Sequence, residues 1–252
     1  MAVSIDRVYQ KVLALANKEQ RGYITPQEFN LFADQAQRDI FEQYFFDFNR
    51  ASRGKPNGLD HMDRATSIEE KISLFEINDA EASADANGIV TLDSYNIYRL
   101  GTVRVRANIS SGVSNKPLKN AEELTQKQLS IYTMSPLTRA ANESGLAGPY
   151  YTKYQNGSNQ LNIRIYPHPN STATPLISYI ENITAPNWTY SIVGANALHN
   201  PNDQNFRNFQ LHASEESLLV VKILQLAGIS IKDYQLTQTA VQEEVKIKQE
   251  KQ

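Results

Sequence analysis

The chain has 252 residues, of which 40% are hydrophobic and 21% charged, and its formal net charge is −2 at pH 7. This length can bury a sizeable core in one or two domains, and the near-neutral charge argues against a dedicated nucleic-acid-binding surface. The absence of cysteine excludes disulfides, thiolate zinc sites and cysteine nucleophiles. The charged start and the lack of any apolar run of about 20 residues predict a globular protein with neither a secretion signal nor a membrane span.

Two helices are predicted near the start of the chain. Residues 4–17 have Ser4 at the N-cap position and place apolar residues at helical spacing. Residues 26–49 carry an unusually broad apolar stripe. A helix with so much apolar surface is expected to pack between partners, which are either its own core or another subunit. The stripe comprises Phe29, Phe32, Ala33, Ala36, Ile40, Phe41, Tyr44, Phe45, Phe46 and Phe48.

The segment between these helices resembles a calcium-binding loop. Counted from residue 17, Gly22 and Glu28 occupy the turn-glycine and bidentate-acid positions of an EF-hand. Arg21 stands where an oxygen ligand is needed, and its positive charge would repel the ion. Thr25 and Glu28 instead form the Thr-x-x-Glu signature of a capping box. We interpret the stretch as a turn between two helices, and a calcium-responsive interaction module stays as an alternative.

Two polar loops follow these helices, and a further helix is predicted later in the chain. Residues 50–66 and 76–87 are polar enough to be interpreted as loops, and residues 67–75 fit either a helical turn or a first strand. Residues 120–133 are predicted to be helical.

From residue 88 the periodicity changes to that of strands. Val103 and Val105 alternate with Arg104 and Arg106 in the run "IYRLGTVRVRA", so the two arginines are expected to face solvent or a neighbour. Two further strands flank Asn156-Gly157, which is a hairpin-turn signal, and "TPLISYIENIT" predicts another strand.

The last part of the chain returns to helices. Ser214 is predicted to cap a nearly all-apolar helix that ends at Gly228, with two glutamates at its positive N-terminus. Residues 233–248 are predicted to form a polar helix with a thin apolar stripe, which needs a surface to lie on. The order of elements predicts an α+β fold, in which a helical part (1–75) and C-terminal helices (211–252) form a layer beside a β-rich middle (76–210).

No motif for chemistry is found. Phosphate loops, the H-E-x-x-H zinc pair and the G-x-S-x-G elbow are absent, and the four histidines are scattered. Asp60, His61 and Asp63 are interpreted as part of a solvated loop. Trp188, beside Pro186 and Tyr190, is interpreted as a hydrophobic anchor for a loop against a sheet. We therefore expect no enzyme activity, no metal and no cofactor.

Several blocks resemble a group of phage virion proteins. Residues 7–47 contain "GYITPQEFN" and "AQRDIFEQY", and further matching blocks are 96–103, 186–202 and 209–233. They resemble the neck or ring proteins of tailed bacteriophages, notably crAss-like and related short-tailed phages. Together they cover about half of the chain.

The resemblance implies a head-to-tail connector that forms a closed homo-oligomeric ring, commonly of 12 subunits, beneath the portal. Such a ring would contact other neck or tail proteins and surround genomic DNA without sequence recognition. It would be located in the virion, and in the host cytoplasm during assembly. A tail-hub or tail-tube component is the alternative within the virion. By positional analogy the C-terminal segment would bind the portal or a neighbour, and the expected contact residues are Leu236, Ala240, Val241, Val245 and Lys248. Arg104 and Arg106 are expected at the channel or a subunit interface.

Overall fold

The structure is a computed structural model. It describes residues 3–18, 24–53, 59–85, 87–93, 95–106, 118–138, 148–155, 161–166, 174–194, 196–230, 241–247 and 249. The chain divides into two compact units, a helical unit (residues 1–74 and 183–252) and a sheet unit (residues 75–182).

Helices predominate towards the two ends of the chain and strands in its middle. In order they are α1 (Ile5–Lys18), α2 (Pro26–Arg53), α3 (Leu59–Ser73), β1 (Glu76–Glu81), β2 (Ile89–Thr91), β3 (Ile97–Arg106), β4 (Leu118–Glu123), α4 (Gln126–Met134), β5 (Tyr150–Gln155), β6 (Leu161–Tyr166), β7 (Leu176–Glu181), β8 (Tyr190–Val193), β9 (Asn196–His199), a 3-10 turn (Ala213–Glu215) and α5 (Glu216–Ser230). Residues 241–247 are also helical. This arrangement confirms the predicted α+β class.

In the helical unit, α5 packs against α1 and α2, and α3 packs against α2. The N-terminal and C-terminal helices thus form one layer, as predicted. The apolar stripe of α2 explains this arrangement, because Phe29, Ala33 and Ala36 are completely buried and Ile40 nearly so. Its start is the predicted capping box: the Thr25 backbone N–H donates to Glu28 Oε2 (3.0 Å), and the Glu28 N–H donates to Thr25 Oγ1 (3.3 Å).

The prediction of a loop at residues 50–66 is wrong over most of its length. Helix α2 continues to Arg53, and α3 begins at Leu59. The sequence of α3 is polar, but it contains good helix formers, and contact with α2 supplies the stabilisation that its composition does not indicate. Residues 54–58 lie outside the described part of the chain.

In the sheet unit, a seven-stranded sheet has the order β1-β7-β3-β4-β5-β6-β2. Its pairs are antiparallel except for β4 and β5, which are parallel. Ala84, just after β1, forms a bridge with Val90 in β2, so the two edges of the sheet meet. The curled sheet encloses an apolar core of Ala82, Val90, Leu92, Val103, Val105, Tyr151, Ile163, Ile165, Ile177 and Tyr179.

Two predictions in this unit are corrected. Residues 76–81 are not a loop but the edge strand β1, because pairing with β7 stabilises a segment of low strand propensity. The helix predicted at 120–133 starts only at Gln126, since residues up to Glu123 pair with neighbouring strands. Thr125 and Gln128 form a capping box at that point. The strands flanking Asn156-Gly157 pair antiparallel as predicted, and the turn itself lies outside the described residues.

The start and end of α5 also differ from the prediction. The Ser214 N–H donates to His212 Nδ1 (3.2 Å), so His212 and not Ser214 is the N-cap, and a 3-10 turn precedes the helix. The helix continues through Gly228 to Ser230, because burial of Leu224, Ala227 and Gly228 against neighbouring elements outweighs the roughly 1 kcal/mol that glycine costs in a helix.

Residues 183–210 belong to the helical unit, whereas the sequence-based division groups them with the strands. The completely buried Gln37 of α2 explains their position. Its side chain donates to the Thr184 carbonyl (2.9 Å) and accepts from the Gln210 N–H (3.0 Å). Among the described residues, no helix combines the length and the apolar character needed to cross a bilayer.

Candidate functional site

The most distinctive surface of the helical unit is a β-hairpin. Within the described part of the chain, β8 and β9 pair only with each other, with Tyr190 opposite His199 and Val193 opposite Asn196. Gly194 follows β8 with φ +67°, the positive value required at the first position of a tight hairpin turn. An isolated two-stranded hairpin is marginally stable in water, so this one needs an anchor.

Trp188 supplies that anchor. It is 2% exposed, and its indole N–H donates to Asp6 Oδ1 in α1 (3.0 Å). The ring centroid of Trp188 lies 4.2 Å from that of Tyr9 in α1. On the hairpin, Tyr190 and His199 stack on the indole at centroid distances of 5.8 and 5.5 Å. The base of the hairpin is therefore fixed to α1 through an aromatic cluster.

Hydrogen bonds reinforce this attachment. The Trp188 backbone N–H donates to Asn30 Oδ1 in α2 (2.9 Å), and Asn30 Nδ2 donates to Asn187 Oδ1 (2.9 Å). At the open end of the hairpin, Thr189 Oγ1 donates to the Asn200 carbonyl (2.6 Å). Trp188 is an anchor, as predicted, but it fixes the β8–β9 hairpin to α1 and does not hold a loop against a larger sheet.

The far end of the hairpin is apolar and exposed. We use the term hairpin tip for Ile192, Val193 and Leu198, which are 73%, 59% and 52% exposed. Because side chains alternate along a strand, Ile192 lies on one face and Val193 and Leu198 on the other. The hairpin therefore presents exposed aliphatic side chains on both of its faces.

The sheet unit carries a second exposed apolar surface at the end of α4. This α4 patch consists of Ile131, Met134 and Leu137, which are 60%, 84% and 81% exposed. The opposite side of the helix is held by the buried Leu129, which packs with Leu124 and Tyr150. The helix is thus fixed on one side while its last turn leaves apolar side chains uncovered.

The predicted partner-binding residues are only partly described. Val241 and Val245 are 39% and 48% exposed and lie one turn apart on residues 241–247. The side chain of Glu244, on a different side of that helix, pairs with Lys222 of α5 (Nζ to Oε1, 3.3 Å). Leu236, Ala240 and Lys248 lie outside the described residues.

The two predicted channel arginines lie at the end of β3. The Arg104 guanidinium forms an ion pair with Asp79 of β1, so its charge has a partner within the same chain. Asp79 has φ +58° at an irregularity in β1, and this conformation directs the backbone away from regular pairing. The backbone of Arg106 pairs with Leu118 of β4, and the side chain of Arg106 is outside the described part.

Residues with catalytic or metal-binding chemistry are dispersed in the described part of the chain. No group of three histidine, aspartate or glutamate side chains there could hold a metal ion. His199 is in the Trp188 cluster, and His212 caps the 3-10 turn that precedes α5. The Thr25 hydroxyl donates to Glu28 and holds the pKa of that carboxyl below its usual value, so this candidate calcium ligand is engaged in the capping box.

Sequence reasoning identified Trp188 but missed the hairpin. The signal was available, because "YSIV" and "NALH" flank Gly194-Ala195 as two short strands around a two-residue turn. No protein family and no curated protein matches this chain significantly.

Proposed function

We propose that this chain is a structural protein of a bacteriophage neck. In the proposal, identical copies form a closed ring between the portal and the tail, around the path of the exiting DNA. The observation that carries it is the hairpin tip, three aliphatic side chains more than half exposed on a hairpin that Trp188 fixes to the helical unit. Apolar surface presented in this way favours an assembly over a free monomer.

The presence of two different apolar surfaces supports a ring. Subunits related by rotation in a ring meet through a heterologous interface, which uses one surface of each copy against a different surface of the next. The hairpin tip lies in the helical unit and the α4 patch in the sheet unit. We assign the hairpin tip to the contact between copies, and the α4 patch is the second surface available for contact with a neighbour.

The resemblance noted in the sequence adds the location in the neck. Three of its four blocks, 7–47, 186–202 and 209–233, fall in the helical unit, and one of them contains the hairpin. The resemblance therefore lies mostly in the helical unit, which also contains the hairpin tip proposed as the contact between copies.

The charge distribution supports passive passage of DNA. Tight binding to phosphates releases counterions and would retain the genome, so a ring that lets DNA pass does not need a strongly basic surface. The formal net charge of −2 and the intrachain pairing of Arg104 with Asp79 fit this requirement. Val241 and Val245, which face outward, are the proposed contact with the portal.

Electron microscopy of the purified chain and of assembled particles tests the proposal. We expect closed rings, with 12-fold symmetry as the first expectation, and density for this chain directly below the portal. Density in the tail hub or tube would replace the neck with the alternative location. A chain that stays monomeric at every concentration, alone and with portal rings, would contradict the ring.

A further inference from the structure

An ion pair holds the C-terminal helix, residues 241–247, on α5. Lys222 Nζ lies 3.3 Å from Glu244 Oε1, and only 16% and 13% of the two side chains are exposed. A largely buried pair depends on both partners, because removing one leaves the other charge desolvated without compensation. The contact is therefore specific for a carboxylate opposite Lys222.

Lys222 stands out within α5. It is surrounded along the helix by buried apolar residues such as Leu219, Ile223 and Leu224. The acids that precede it have other cationic partners, since Glu215 pairs with Lys71 and Glu216 pairs with Arg7 and Lys11. The carboxylate that meets Lys222 is supplied by the C-terminal helix.

The C-terminal helix has two different sides. Glu244 and Ile247 are partly covered, whereas Val241 and Val245 are exposed. A short, mostly polar helix is marginal by itself and depends on the surface that it contacts. An identical surface is present on every copy of the chain.

The sequence between α5 and this helix is longer than the contact between Lys222 and Glu244 requires. Ser230 lies eight positions after Lys222, which corresponds to a rise of about 12 Å along α5. The ten residues 231–240 can span at most about 33–36 Å. The maximum span of residues 231–240 exceeds the rise along α5 by more than the roughly 8–10 Å that separates the axes of packed helices. The ten-residue length is therefore more than the contact with the chain's own α5 requires.

We propose that the C-terminal helix is exchanged between neighbouring copies in the ring. Glu244 of one copy then pairs with Lys222 of the next, in the same geometry that the pair has within a single chain. Exchange of an identical element costs little, because each interaction within a chain is replaced by the same interaction between two chains. This inference rests on the proposed ring, and it adds the element that links one subunit to the next.

Charge reversal distinguishes exchange from pairing within one chain. Lys222→Glu and Glu244→Lys each place like charges together, and each is expected to raise the protein concentration required for ring formation at least tenfold. The double variant Lys222→Glu/Glu244→Lys restores the pair and controls for the substitutions themselves. An equal mixture of the two single variants restores the pair only when the helix crosses between chains.

Assembly of that mixture at nearly the wild-type concentration, by light scattering, supports the exchange. A mixture that remains as defective as the single variants, while the wild type and the double variant form rings, overturns the exchange and leaves the ring intact. Wild-type protein that never assembles contradicts the proposed function and, with it, the exchange.

Crosslinking provides a direct measurement, because the chain has no cysteine of its own. Lys222→Cys and Glu244→Cys are placed on separate chains, the chains are mixed under assembly conditions, and a bismaleimide is added. Peptides that join residue 222 of one variant to residue 244 of the other are expected. Rings that yield no such peptide contradict the exchange.

Discussion

Lys71 Nζ lies 2.7 Å from Glu215 Oε1, and only 16% of the lysine side chain and 1% of the glutamate side chain are exposed. The pair joins the last turn of α3 to the segment that leads into α5. Lys71 also lies 5.8 Å from the ring centroid of Tyr44 in α2. Burial, together with the nearby Glu215 charge, raises the pKa of the Tyr44 hydroxyl. One buried pair thus connects three helices of the helical unit.

Removing Lys71 should strongly destabilise the helical unit. Lys71→Met removes the lysine that pairs with the buried Glu215 carboxylate, and breaking a buried pair in this way costs about 3–5 kcal/mol. Denaturant unfolding monitored by circular dichroism measures the change. The exposed pair Lys246–Glu243 is the control, and Lys246→Met should change the free energy of unfolding by less than about 1 kcal/mol. Equal effects of the two variants would contradict the structural role of the buried pair.

Glu216 should make stability depend on acid pH. Lys11, by its hydrogen bond and charge, and Arg7 lower the pKa of this carboxyl, while burial acts in the opposite direction. A carboxyl whose folded pKa is lowered contributes stability above its ordinary pKa of about 4.3 and loses it as the pH falls through the folded value.

We therefore expect Glu216→Gln to be less stable than wild type near pH 6, with the difference shrinking as the pH falls below about 4. Lys11→Met should reproduce most of this effect, because Lys11 is the main cause of the lowered pKa. Free energies of unfolding measured from about pH 3 to pH 7 would disagree with this assignment if the difference were constant.

Asp6 should control the environment of the single tryptophan. Asp6→Ala leaves the buried Trp188 N–H without its acceptor, and an unsatisfied buried donor costs about 1–3 kcal/mol. Because the chain has one tryptophan, its fluorescence reports on this site alone. We expect emission at longer wavelength and faster amide exchange in β8 and β9. Asp39→Ala, which removes an acceptor for Gln35 on an exposed part of α2, should leave the emission unchanged.

Gly101 should not tolerate a side chain. A Cβ atom at this position of β3 would lie 2.9 Å from the Ser178 carbonyl oxygen of β7, closer than real Cβ contacts. Gly101→Ala is expected to destabilise the sheet unit by about 1–3 kcal/mol, as overpacking does. Thr102→Ala, at the next, exposed position, is the control. Thermal unfolding measures the effect, and equal melting temperatures for the two variants would contradict the predicted clash between β3 and β7.

The sequence predicted elements best where local signals and tertiary contacts agree. The helix at α2 has a capping box and a broad apolar stripe, and β3 has β-branched residues in alternation, so both were predicted close to their observed bounds. The α3 and β1 segments are polar, and they are ordered by contact with α2 and by pairing with β7. No local pattern contains that information.

The candidate site was predictable only in part. Trp188 was recognisable as an anchor from its aromatic neighbours, but its partners Asp6 and Asn30 are more than 150 residues away in the chain. Exposure of the hairpin tip could not be predicted either, because Ile192 and Val193 have the composition of buried strand residues. These two residues are candidate contact residues because, among the described strands, β8 and β9 form a separate two-stranded sheet.

The hairpin tip is the proposed contact between copies of the chain. Ile192→Ser/Val193→Ser should leave the fold intact, because both side chains are exposed, and should weaken assembly because truncated hot-spot residues at interfaces typically cost more than about 1 kcal/mol each. Leu31→Ser is the matched control, since Leu31 is 71% exposed on α2 and lies outside the hairpin.

Light scattering across a concentration series of the three proteins is the most direct measurement. We expect rings for the wild type and for Leu31→Ser, and monomers for Ile192→Ser/Val193→Ser with unchanged circular dichroism. Rings formed equally well by the hairpin variant would contradict the proposed contact.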